Sequence, residues 1–168
     1  MQLLRDILEH AQKNRVAIGY FNVADLVLLK AVFSSAQELN VPVLVGASAG
    51  ERAFMGVKQI AALVRSIREE FDFPIFLNAD HTHSLPDALE AAKAGFDAVV
   101  FDLSALPFEE NARQTTSRES LPSKVRRRLC SRWMADQERM TTTSGKPLPL
   151  VSTSYASTLN CALRGDAD

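Results

Sequence analysis

An acid and two histidines stand close together where an apolar segment ends. Residues 75–77 are apolar, and Asp80, His81 and His83 follow within six residues. Two adjacent ionisable groups are costly inside a protein core unless they have partners. A neutral imidazole is a good ligand for Zn²⁺, and a neighbouring carboxylate can move protons beside the metal. The pair Asp80-His81 is therefore the candidate for chemistry, and His83 is interpreted as a structural neighbour.

The segments that position these residues alternate between strand and helix patterns. Apolar segments rich in strand-forming residues alternate with stretches in which apolar residues recur at helical spacing. The predicted strands are residues 17–23, 41–48, 74–80 and 97–104, and predicted helices follow at 25–40, 60–71, 84–95 and 107–115. Because the strands are nearly continuous apolar runs, they are typical of a parallel sheet buried on both faces. The pattern fits either a doubly wound α/β sheet or a (β/α)₈ barrel.

Polar residues end all four predicted strands. They are Asn22, Ser48, Asp80 with His81, and Asp102. In both architectures the functional residues collect at the carboxyl ends of the strands. Asn22, Ser48 and Asp102 could instead be cap or turn residues, because these residue types favour such positions. No glycine-rich phosphate loop follows any strand, which argues against a nucleotide-binding version of the fold.

Composition excludes several classes of function. The net charge is −1, which gives no reason to expect nucleic-acid or membrane binding. No apolar run approaches the roughly 18 residues of a membrane span. Residues 1–15 form an amphipathic helical pattern and not a signal peptide, so a cytoplasmic location is expected. Two cysteines, Cys130 and Cys161, are too few for a disulfide framework.

A boundary near residue 114 divides the chain into two parts. Residues 1–114 carry 10 Lys and Arg against 15 Asp and Glu, whereas residues 115–168 carry 9 against 5. The second part also has 15 Ser and Thr in 54 residues, against 7 in the first 114. Such shifts mark domain boundaries. We interpret 115–168 as an unrelated basic tail without a strand–helix pattern, either translated in a shifted reading frame or a divergent C-terminus.

Four segments of the first part resemble the class II, metal-dependent fructose-bisphosphate aldolases and their tagatose-bisphosphate relatives. The matching segments are GYFNV at 19–23, VPVLVGASAGERAFMG at 41–56, NADHTHS at 78–84 and AGFDAVVFDLSALPFEEN at 94–111. The last segment is the most specific of the four. The resemblance implies a (β/α)₈ TIM barrel, of which residues 1–114 would supply about the first four βα units.

The resemblance also implies a reaction and a role for each residue. The reaction would be reversible aldol cleavage of a ketose bisphosphate, such as fructose 1,6-bisphosphate, to dihydroxyacetone phosphate and an aldehyde. Asp80 would be the catalytic acid/base, His81 would bind the catalytic Zn²⁺, and Asp102 would lie near a second metal position. Asn22 and Ser48 would face the sugar-phosphate substrate. Family members of this kind are expected to form homo-oligomers.

The resemblance stops near Gln114, so the set of metal ligands that it implies is incomplete in this chain. The chain has three histidines, His10, His81 and His83, whereas a catalytic zinc requires about three protein ligands. We therefore expect a truncated and inactive aldolase, with the outermost strands 17–23 and 97–104 lacking neighbours. Two alternatives are a non-catalytic α/β module that binds sugar phosphates and an interaction protein that uses its basic tail, residues 115–168. The basic run at 124–132 is interpreted as a solvated segment and not as a nucleic-acid site.

Overall fold

The computed structural model describes residues 3–117 and 129–131, and for 115–117 and 129–131 it describes the backbone alone. Helices and strands alternate along this part of the chain. They are α1 Leu4–Asn14, β1 Gly19–Asn22, α2 Leu26–Leu39, β2 Val43–Ala47, α3 Ala49–Met55, α4 Val57–Phe71, β3 Ile75–Thr82, α5 Leu85–Ala94, β4 Ala98–Phe101, α6 Phe108–Ser117 and β5 Leu129–Ser131. All four predicted strands and the helices between them are present.

The strands form one parallel sheet in the order β1-β2-β3-β4-β5. Asn22 pairs with Gly46, Gly46 with Asn78, and Asn78 with Ala98. Because the strands are parallel and in register, their carboxyl ends lie along one edge of the sheet. The polar residues that end the strands are thereby brought to the same place.

A fifth strand corrects one expectation from the sequence. The fourth strand was expected to lack an outer neighbour. Instead, β5 pairs in parallel with Val99–Phe101 of β4. Apart from residues 115–117 at the end of α6, the remainder of the predicted tail lies outside the described residues, including residues 124–128 and 132 of its basic run. Within the described sheet, β1 is an outer strand, and half of the Phe21 surface is exposed.

The core lies between the sheet and the helices. Apolar side chains from β2, β3 and β4 pack against α2, α4 and α5, with Leu29, Ile60 and Phe96 among the fully buried members. Side-chain oxygens cap three helices: Asp25 for α2, Ser48 for α3 and Ser84 for α5. Among the described helices, none has both the length and the apolar character that a membrane span requires.

Candidate active site

Asn22 and Asp80 meet across the sheet although 58 positions separate them in sequence. Asn22 ends β1, and Asp80 lies near the end of β3, with β2 between them. Asn22 Nδ2 donates a hydrogen bond to Asp80 Oδ2 at 3.1 Å. A hydrogen bond to a carboxylate oxygen fixes the orientation of the carboxylate group. The contact therefore aims one carboxylate oxygen of Asp80 toward β1.

His81 lies in a bulge of β3. Ala79 pairs with Val99, but the next paired residue is Thr82, opposite Phe101, so β3 holds one extra residue at this point. His81 has φ of +39°, in the left-handed region that residues with a Cβ seldom adopt. Without the bulge, Asp80 and His81 would point to opposite faces of the sheet. The bulge lets both side chains turn toward the carboxyl edge, where His81 Nε2 lies 3.9 Å from Asp80 Oδ1.

Asp102 binds the other nitrogen of the same imidazole. His81 Nδ1 lies 2.7 Å from Asp102 Oδ2, while Ser104 N donates to Asp102 Oδ1 at 3.0 Å. Burial would raise the pKa of Asp102, but the hydrogen bonds from Ser104 and His81 outweigh it and lower the pKa to about 2. Since Asp102 is ionised at neutral pH, its Oδ2 accepts a hydrogen bond from Nδ1–H of His81. This arrangement puts the lone pair of the neutral ring on Nε2.

His83 supports the same corner of the site. Its Nδ1 lies 3.0 Å from the Asp102 carbonyl oxygen, and its ring stacks near that of His81 with centroids 6.4 Å apart. The backbone of Asp102 is fixed in turn, because its N–H donates to the Thr82 carbonyl at 2.9 Å. His83 thus contacts the backbone that carries Asp102, in agreement with the structural role predicted for it.

Comparison with known proteins identifies the family. Residues 2–122 match the family model described as fructose-bisphosphate aldolase class-II. The chain belongs to the class-II fructose-bisphosphate aldolase family. The fructose-bisphosphate aldolase of Geobacillus stearothermophilus is 33% identical over 116 residues, which are 67% of this chain and 40% of that relative. The chain therefore spans less than half the length of the aldolases it matches.

Solved aldolase structures share the fold. The YdjI aldolase from Escherichia coli K12 is similar with a TM-score of 0.62 and 26% identity, covering 70% of this chain and 45% of that one. The fructose-bisphosphate aldolase of Campylobacter jejuni has a TM-score of 0.63 at 24% identity, covering 76% and 44%. The described residues are consistent with the first part of a TIM barrel, so the predicted fold class is confirmed.

The predicted aldolase residues converge, and some have further contacts. Asn22, Asp80, His81 and Asp102 form one connected group. Ser48, at the end of β2, is the N-cap of α3: its Oγ accepts from Glu51 N, and Glu51 Oε2 accepts from Ser48 N. The cap role that the sequence allowed for Ser48 is thus present, and its contact with substrate stays a prediction.

The donor set fits part of a zinc site. The pair of Asp102 with His81 Nδ1 is the arrangement in which a carboxylate orients a metal-binding histidine. Asp102 Oδ2 accepts this hydrogen bond, and the predicted proximity of Asp102 to a metal stays a prediction. No group of three or more His, Cys, Asp or Glu side chains suited to a metal occurs within residues 3–117 and 129–131. A complete site would therefore need ligands from elsewhere.

Gly46 is a site residue that the sequence analysis missed. Tyr20 and Asn22 of β1 both reach over β2 to β3, where Asn78 Nδ2 donates to Tyr20 Oη at 2.9 Å and Asn22 binds Asp80. A Cβ at Gly46 would overlap Tyr20 Oη and Asn22 Oδ1. A glycine inside a predicted strand often marks such a close approach, so a signal was present.

Arg52 is the second missed residue. It projects from α3 and is 95% buried, with hydrogen bonds to the carbonyl oxygens of Ala47 and Asp80 and to Thr82 Oγ1. Burial lowers the pKa of Arg52, and nearby carboxylates, foremost that of Asp87, partly offset this effect. Nothing in the helical pattern of residues 49–55 separates a buried arginine from a solvated one, so sequence gave no signal.

Proposed function

We propose that this chain carries the amino-terminal half of a class II ketose-bisphosphate aldolase active site. The reaction is reversible aldol cleavage of fructose 1,6-bisphosphate, or a similar ketose bisphosphate, to dihydroxyacetone phosphate and an aldehyde. The observation that carries the proposal is the connected group Asn22–Asp80–His81–Asp102 at the carboxyl edge of the sheet in a member of this family.

Asp80 is proposed to move the proton of the substrate hydroxyl at the bond that breaks. Its side chain is 18% exposed, so a substrate can reach it, and Asn22 orients one oxygen while the other faces the imidazole edge of His81. A positioned carboxylate of this kind typically contributes a factor of 10²–10⁴ to the rate. Asn22 and Ser48, which end the neighbouring strands, are proposed to face the sugar phosphate.

His81 is proposed to bind Zn²⁺ through Nε2, with Asp102 fixing the ring from the other side. Bound zinc supplies Lewis-acid polarisation of a substrate carbonyl. The hydrogen bond to Asp102 holds the tautomer and the orientation of the imidazole, as is usual for metal-binding histidines. Other ligands would have to come from outside the described residues, since a catalytic zinc takes about three protein ligands.

We further propose that the 168-residue chain cleaves the substrate slowly or not at all. Support comes from the incomplete ligand set among the described residues and from the roughly 40% of its relatives' length that the chain matches. A cytoplasmic location and homo-oligomerisation belong to the same proposal. Turnover in the ordinary enzyme range of about 1–10³ s⁻¹ with added zinc would overturn the proposed inactivity.

Zinc titration followed by NMR tests the proposed metal ligand. The three histidine ring signals can be observed separately in the full chain. We expect Zn²⁺ to shift the His81 ring first, and the His81→Ala variant to lose this response. His10→Ala is the matched control, because His10 lies in helix α1 and not at the end of a strand. An unchanged zinc response in the His81→Ala variant, or no shift of the His81 ring in the unsubstituted chain, would refute the assignment.

A further inference from the structure

Arg52 is a buried cation that joins the ends of two strands beneath the site. Nη1 donates to the carbonyl oxygen of Ala47, the last residue of β2, and to that of Asp80 at 2.9 Å. Nη2 donates to Thr82 Oγ1 at 3.0 Å. One guanidinium therefore binds β2 and both sides of His81, the residue in the bulge of β3.

Arg52 binds the Asp80 carbonyl at the bulge, where the pairing between β3 and β4 is interrupted. A bulge leaves its extra residue out of the strand ladder, so the backbone groups there require other partners. The peptide group between Asp80 and His81 leads directly into the positive φ of His81, which is unfavourable for a residue with a Cβ. Arg52 donates to the carbonyl of that peptide group, and its bond to Thr82 fixes the residue at which pairing with β4 resumes.

From these contacts we infer that Arg52 is the positioning residue of the aldolase site. It holds the bulge in the conformation that turns Asp80 toward Asn22 and His81 toward Asp102. Its own side chain acts through the backbone and has no need to touch the substrate. The inference rests on the proposed function for what the two side chains do, but the conformation that Arg52 holds can be measured without any activity.

Lysine is the informative replacement for Arg52. A guanidinium presents donors in a rigid planar fork, whereas an ammonium is a single charged point on a flexible stem. Arg52→Lys keeps the charge that faces Asp87, Asp80 and Glu51, but cannot reproduce bonds to three acceptors in this geometry. Arg52→Gln removes the charge and serves as the second variant if the lysine variant folds poorly.

The matched control is Arg68→Lys. Arg68 is also largely buried and forked, but it binds Asp97 and the Ile75 carbonyl at the start of β3, the opposite end of the strand. Replacing either arginine should destabilise the fold. Only the loss of Arg52 should change the backbone around His81, so the comparison separates positioning from general stability.

The measurement is the set of backbone ¹³C chemical shifts of Asp80 and His81 in the folded full chain, with Zn²⁺ titration as a second readout. We expect Arg52→Lys to move the His81 shifts from left-handed toward extended values and to weaken zinc binding by about tenfold, at the lower end of what loss of outer-shell support costs. Arg68→Lys should leave both unchanged. In the unsubstituted chain, the Arg52 guanidinium protons should exchange slowly and show scalar coupling to the Asp80 carbonyl carbon.

Two results would overturn the inference. One is unchanged His81 shifts in a folded Arg52→Lys or Arg52→Gln variant. The other, which requires no variant, is rapid exchange of the Arg52 guanidinium protons without coupling to Asp80. If the shifts move as expected but the unsubstituted chain shows no zinc response, the positioning role of Arg52 stands and the proposed metal role of His81 falls.

Discussion

Replacing Gly46 by alanine should disrupt the site at its base. The Cβ would overlap Tyr20 Oη and Asn22 Oδ1, so both side chains of β1 must withdraw from β3. The change would break the bond from Asn78 to Tyr20 and the bond from Asn22 to the Asp80 carboxylate. The neutral bond between Asn78 and Tyr20 contributes about 1 kcal/mol to the free energy of unfolding, and the bond to the charged Asp80 carboxylate about 2 kcal/mol. Overpacking costs roughly 1–3 kcal/mol more.

The expected loss is about 2–4 kcal/mol in the free energy of unfolding, from the Tyr20 contact and the overpacking alone, because the Asn22 contact is exposed and is left out of the sum. Urea unfolding followed by circular dichroism measures it directly. Gly50→Ala is the matched control, because a Cβ at Gly50 meets no atom within 4 Å and alanine favours helix α3 by up to about 1 kcal/mol. Both variants add one methyl group and differ in what that group meets.

The reasoning fails if the Gly46→Ala chain is as stable as the Gly50→Ala chain. It also fails if the side-chain amide signals of Asn22 and Asn78 keep their positions in the Gly46→Ala variant. Either result would mean that the contacts across β2 do not depend on the absence of a side chain at residue 46. The orientation of Asp80 would then need another explanation.

Three further predictions concern Asp102, Phe21 and residues 115–168. The pKa of Asp102 is about 2, below its ordinary value of 3.8, so its ionised form stabilises the fold above pH 4. Up to about 2 kcal/mol of the free energy of unfolding should be lost as the pH falls toward 2. Urea unfolding measured against pH should show that this loss is absent in the Asp102→Asn variant. Phe21 is half exposed on the outer strand β1 and should promote self-association, so Phe21→Lys should shift size-exclusion elution toward the monomer. If the unsubstituted chain associates and the Phe21→Lys variant elutes at the same volume, the prediction is wrong. If residues 115–168 are frameshifted, the coding DNA read in another frame after codon 114 should encode a strand ending in Glu and then two strands ending in Gly-His, and its absence from every frame rejects the hypothesis.

The alternating fold was predictable because local patterns dominate it. Continuous apolar runs predicted the strands, and apolar residues at helical spacing predicted the helices. The convergence of Asn22, Asp80, His81 and Asp102 followed from parallel topology, which brings strand ends to one edge. Strand β5 was missed because three residues, Leu129–Ser131, are too few to show a periodic pattern.

Other features of the site depend on contacts that no local pattern encodes. The bulge at His81 arises from pairing between β3 and β4, and a polar strand end looks the same in sequence with or without it. The burial of Arg52 depends on how α3 lies against β3. Asp102 was predicted near a metal position, and only its distance from His81 Nδ1 revealed that it orients an imidazole.

The most direct test of the account is the aldol cleavage activity of a hybrid enzyme. In it, residues 1–117 replace the aligned segment of the Geobacillus stearothermophilus relative, which supplies the remainder of the chain. We predict zinc-dependent cleavage of fructose 1,6-bisphosphate that falls by about 10²–10⁴-fold in the Asp80→Ala variant. Activity should also be lost in His81→Ala and retained in His10→Ala. A folded, active hybrid whose turnover and zinc content are unchanged by both Asp80→Ala and His81→Ala would contradict the assignment.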